Sequence, residues 1–136
     1  MSIYMHRDLH VSGPLCLIFL MSAVFTLSGI ALFGFPASMP ASLAGVPAAV
    51  PAVYRALAAV FMLSFGLLYL ALALQRRVPA VIVLFAAMAK VLAFLAFAGL
   101  WLAGSVSTQM LLMVSGDIVI AALLLHALAS QSKDVP

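Results

Sequence analysis

Lys90 and Asp117 are charged residues that stand deep inside long apolar runs, AAMAKVLAF and SGDIVIAALLLHAL. An ion in such a setting must find a partner or a polar cavity, so it marks either a structural ion pair or a functional site. Arg55 opens another apolar run, and its long stem would let the guanidinium lead inward. Arg55, Lys90 and Asp117 therefore form a candidate charged cluster. Such a cluster could hold a polar head group, whereas one carboxylate and one ammonium without further relay groups make a poor proton wire.

Few other residues offer chemistry. His6 and His10 have the i, i+4 spacing of a metal pair, but His126 falls about 180° from Asp117 on a helix, so no metal centre is read and a haem is not expected. Cys16, the single cysteine, reads as a small apolar residue and rules out disulfide scaffolds. The chain has no Glu and no Asn, and no GxxxxGK[ST], GxGxxG or GxSxG motif, which removes HExxH zinc sites, EF-hands and the common nucleotide and hydrolase motifs.

The elements that must position these charges follow from composition. Of 136 residues, 68% are hydrophobic and 7% charged, and no water-facing surface can be covered with so few ions. Lipid is then the solvent, which demands helices whose backbone groups are satisfied internally. Spans of roughly 20 apolar residues fit residues 14–35, 53–75, 78–103 and 106–129, joined by an outer Pro-rich loop at 36–52. A lysine or aspartate at a span centre costs about 2.5–3.5 kcal/mol, which the surrounding Leu, Ile, Phe and Val residues offset. The expected fold is an all-α integral membrane four-helix bundle, with residues 1–136 as a single domain.

The net charge of +3 is spread singly except at Arg76 and Arg77, a pattern of topology rather than of nucleic-acid binding. Arg7, Arg76, Arg77 and Lys133 flank the spans on one side, which the positive-inside rule makes cytoplasmic, with both termini inside. Residues 14–35 are long for a signal-peptide core, so cleavage is not expected. The outer loop cannot form a fifth span because prolines 36, 40, 47 and 51 interrupt it. It reads either as a cover for the bundle mouth or as an apolar connector.

Helical spacing gathers stripes around the charges. They are Ser22, Thr26, Gly29 and Phe33 in the first span and Arg55, Met62, Gly66 and Tyr69 in the second. Val83, Ala86, Lys90, Phe94, Phe97 and Trp101 follow in the third, and Met110, Met113, Asp117, Ala121 and Leu124 in the fourth. Counting roughly 1.5 Å per residue sets Lys90 and Asp117 each about 16 Å from a helix end, near mid-depth. A pocket with aromatic and methionine walls would suit a flat lipophilic molecule with a polar head, such as a quinone, sterol or isoprenoid. The competing expectation is a structural Lys90–Asp117 pair, with Gly29, Gly66, Gly99 and Gly116 letting the helices approach.

The order of features resembles the DoxX-like group of small bacterial membrane proteins over most of the chain. The similarity rests on YRALAAVFMLSFGLLYLALA (residues 54–73), the lysine of AAMAKVLAF and SGDIVIAALLLHAL (residues 115–128). The resemblance implies Arg55, Gly66, Tyr69, Lys90, Gly116 and Asp117 as site residues, to which the stripe adds Phe94, Phe97 and Trp101. DoxX is associated with quinone-linked thiosulfate oxidation, but one cysteine gives this chain no redox-active pair. The leading expectation is a small multi-pass protein of the bacterial inner membrane, serving as an accessory subunit of a membrane complex or as a binder of a lipophilic ligand. The alternative is a quinone- or isoprenoid-linked enzyme, or enzyme subunit, using Lys90 and Asp117. Expected partners are the bilayer, a lipophilic small molecule, and a larger complex or a homo-oligomer.

Overall fold

The structure, a computed structural model, describes residues 8–35, 37–46 and 50–132. The elements follow the order β1 (Asp8–His10), α1 (Gly13–Gly34), α2 (Met39–Leu43), α3 (Ala52–Ala73), β2 (Arg77–Pro79), α4 (Ala80–Leu102) and α5 (Thr108–Ser132). Four of these helices are long and apolar enough to cross a membrane, which makes this a multi-pass helical membrane protein. The predicted spans 14–35, 53–75, 78–103 and 106–129 match them to within a few residues. His6 of the candidate metal pair, and Arg7 and Lys133 among the flanking positive charges, lie outside the described residues.

Proline and glycine set the helix ends. Pro14 and Pro40 occupy first-turn positions of α1 and α2, and Pro51 and Pro79 immediately precede α3 and α4, where a missing N–H costs nothing. Gly104 (φ 70°) ends α4 in a Schellman arrangement, donating to the Trp101 carbonyl while Ser105 donates to that of Leu100. Gly45 (φ 69°) ends α2 in the same way through Ser42 and Ala41.

Three short elements, α2, β1 and β2, depart from the expected four-span plan. Within the outer loop, Ser38 Oγ accepts from Ala41 N and starts the short helix α2. Its Ala41 is buried, and the Gly45 carbonyl accepts from Ser107 Oγ (3.4 Å), which also accepts from Met110 N (3.2 Å) in the first turn of α5. The described part of the loop is thereby tied to the start of α5. At the opposite end, β1 and β2 pair antiparallel, with Leu9 opposite Val78. Both side chains are fully buried and close the end of the core, while Asp8, His10, Arg77 and Pro79 alternate outward. Gln131 Nε2 donates to the His10 carbonyl (3.0 Å), so β1, the α3–α4 turn and the end of α5 meet at one end of the bundle.

α1 packs along α3 and touches α5, which packs along α4, whereas α3 and α4 make little direct contact. The two halves of the bundle differ. In the half nearest the β-ribbon, Leu15, Phe19, Leu72, Val83, Ala87 and Leu124 form a closed core. The other half is not filled in this way, and it contains the cavity described next.

Candidate functional site

A cavity of about 240 Å³ lies where the closed core ends, bounded by all four long helices. Lys90 of α4 and Asp117 of α5 stand in its wall and are bonded to one another, Lys90 Nζ donating to Asp117 Oδ1 at 2.5 Å. Their side chains are 6% and 15% exposed, so water contributes little to either charge. The ammonium also donates to Thr26 Oγ1 of α1 (3.4 Å). It lies 5.2 Å from the ring centroid of Tyr69 on α3 and 5.6 Å from that of Phe25 on α1. Each long helix thus contributes to a single cage around one cation, in which the carboxylate neutralises the charge and two aromatic faces stabilise it further.

The polar atoms of this cage are unevenly used. Ser22 and Ser28 of α1 donate back to their own helix, but the Thr26 hydroxyl donates to no described residue and serves Lys90 only as an acceptor. Asp117 Oδ2 and the Tyr69 hydroxyl have no hydrogen-bond partner among the described residues. Neither is sealed away, since Arg55 Nε is the one buried, unpartnered side-chain nitrogen or oxygen among those residues. Both Tyr69 and Asp117 line the cavity. The remaining wall is apolar, with Phe33, Phe61, Phe65, Phe97, Met62 and Met113 prominent.

The expected stripes meet this geometry in part. Thr26, Gly29, Phe33, Met62, Tyr69, Lys90, Phe97, Met113 and Asp117 all line the cavity, and Ser22, Val83, Ala86, Met110, Ala121 and Leu124 are buried. Phe94 is half-buried but does not reach the wall, where Ala89 and Ala93 stand instead. At about 100° per residue, Ala93 and Phe97 fall roughly 60° and 20° to one side of Lys90, and Phe94 about 40° to the other. Trp101 is beyond the cavity, 40% exposed, and donates to Thr108 Oγ1 (3.2 Å) at the α4–α5 turn. The expected charged cluster is a pair. Arg55 forms no ion pair among the described residues, because it is in the first turn of α3, roughly 21 Å along the helix from Tyr69, farther than its side chain can reach.

Small residues mark close approaches. A methyl group on Gly66 would strike Leu27, on Gly29 the Met62 sulfur, and on Gly116 the Phe25 ring. Gly66 is buried, whereas Gly116 faces an apolar groove between α1 and α5 on the other side of Phe25. Gly99, expected among the approach residues, has nothing near it. Phe25, Phe61 and Phe65 were not anticipated in the wall. Their helices are apolar all round, so an aromatic residue facing the interior carries no mark that separates it from one facing lipid.

His10 and His126 are both exposed and take no part in the cavity. No family model, curated protein or solved structure matches the chain.

Proposed function

We propose that this protein binds a lipophilic ligand within the membrane, as a non-catalytic binder or accessory subunit of the DoxX-like kind. The observation that carries the reading is the cavity itself. It joins an apolar, largely aromatic wall to one group of polar atoms, Lys90, Asp117, Thr26 and Tyr69, in a bundle whose other half is packed shut around Phe19 and Leu124. Binding is tested by filling the space. Ala93→Trp should abolish saturable uptake of isoprenoid and quinone probes by delipidated protein, measured by native mass spectrometry, while Phe85→Ala on the exposed face of α4 should leave it intact. Equal uptake by both variants would count against an internal site.

The same proposal places the protein in the bacterial inner membrane, with both termini and the α3–α4 turn in the cytoplasm. Arg76 and Arg77 are exposed at the end of the bundle that also carries β1 and the end of α5, and a cluster of positive charge favours the cytoplasmic face. In a Cys16→Ala background, Ser42→Cys should react with an impermeant maleimide on intact cells. Gln75→Cys should react only after permeabilisation, and the reverse pattern would invert the orientation.

A further inference from the structure

We propose that the head group taken by this cavity is a neutral hydroxyl, that of a lipid alcohol or a hydroquinone, rather than an anionic or a carbonyl head. The inference rests on the cavity being a ligand site and specifies what the site recognises. Lys90 and Asp117 already neutralise one another at 2.5 Å, so the polar end of the cavity presents no net charge to a ligand. A phosphate or carboxylate head would have to face the Asp117 carboxylate or separate it from Lys90, leaving one buried ion without its partner. A cationic head would compete with Lys90 for the same carboxylate.

The unused polar atoms select among neutral heads. Asp117 Oδ2 can only accept, the Tyr69 hydroxyl can donate, and the Thr26 hydroxyl retains its proton. A carbonyl head accepts from Tyr69 or Thr26 but leaves Asp117 Oδ2 unsatisfied. A hydroxyl accepts from one of them and donates to Asp117, completing both sides of the polar group at once. A volume of about 240 Å³ falls short of the roughly 300–1,000 Å³ of pockets that enclose a whole drug-sized molecule, so it holds the head and the first part of a chain. The rest of the chain has an exit. The cavity wall includes Phe61, which is 62% exposed, and the helices on that side, α3 and α4, make little contact.

Three probes sharing one chain separate the possibilities: farnesol, farnesyl methyl ether and farnesyl phosphate. Equilibrium binding is measured on delipidated protein in phosphatidylcholine nanodiscs, with uptake by empty nanodiscs subtracted. Farnesol should bind saturably. Its methyl ether, which keeps the acceptor and loses the donor, should bind at least about tenfold more weakly, the loss expected for a hydrogen bond to a charged acceptor. Farnesyl phosphate should also bind more weakly than the alcohol. Tyr69→Phe keeps the ring beside Lys90 and should lower farnesol affinity while leaving the melting temperature near that of the parent. If alcohol and ether bind equally and Ala93→Trp abolishes both, the cavity is a ligand site but the hydroxyl proposal is overturned. Tightest binding of the phosphate overturns it as well. Ubiquinol, measured in the same way, separates a hydroquinone from a lipid alcohol as the source of the hydroxyl, and if neither it nor any farnesyl probe binds saturably, the ligand-site reading falls together with the hydroxyl proposal.

Discussion

Lys90→Met and Asp117→Leu should each lower the melting temperature of the detergent-solubilised protein sharply, and the double variant should recover most of the loss. Removing one member of a buried pair leaves an uncompensated ion and costs about 3–5 kcal/mol, whereas removing both leaves an apolar interior that can be neutral or better. The two single losses should be unequal. Without Asp117, the ammonium retains Thr26 Oγ1 and the faces of Phe25 and Tyr69, but without Lys90 the carboxylate has no hydrogen-bond donor among the described residues. Lys90→Met is therefore the more damaging change. The coupling energy of the double-mutant cycle belongs to the pair. Ligand uptake by the same four proteins then separates two roles that share one geometry. A double variant that regains stability but not binding identifies the pair as part of the site, while one that regains both identifies it as structural. Single variants that melt like the parent would mean that the two charges are not coupled.

The pairing itself was legible in the sequence because a charge is conspicuous where nearly every neighbour is apolar. Lys90 and Asp117 fall at matching depths once the spans are drawn, and the spans follow from length and hydropathy. Arg55 looked equally conspicuous, but it stands at a helix start, where depth along the axis outweighs side-chain length. The β-ribbon left no usable trace. Three residues are too few for a period, Leu9 is the one apolar residue between Asp8 and His10, and Val78 reads as the first residue of a span. The helix α2 did leave one, since Ser38, Pro40 and Gly45 are start and stop signals, but the prolines around them read only as excluding a fifth span.

What the sequence could not show is which face of each span turns inward. In water an outward face betrays itself by polarity, but lipid accepts the same Leu, Val and Phe residues that a core does. Spacing from Lys90 alone puts Phe94 and Trp101 in the wall, and it gives no sign of Phe25, which lines the cavity one residue from Thr26. Packing therefore assigns the faces in this bundle, and the assignment has measurable consequences.

Phe19→Ala should destabilise the protein by about 2–4 kcal/mol, while Phe85→Ala should change its stability by less than about 0.5 kcal/mol. Both residues are phenylalanines within long apolar helices, but Phe19 is fully buried against the closed core and Phe85 is 58% exposed. The expected cost at Phe19 lies toward the lower part of the range for soluble cores. The bilayer is as apolar as the interior, so the transfer contribution largely drops out and the unfilled volume and lost contacts remain. At Phe85 lipid chains occupy the vacated space and no void forms. The two halves of the bundle add a second readout. Phe19 is outside the cavity wall, so its alanine variant should bind farnesol with parental affinity at temperatures where it remains folded. Melting temperatures in detergent, with farnesol binding on the same samples, check both statements. Equal destabilisation by the two substitutions would show that α4 presents Phe85 to a protein surface rather than to lipid.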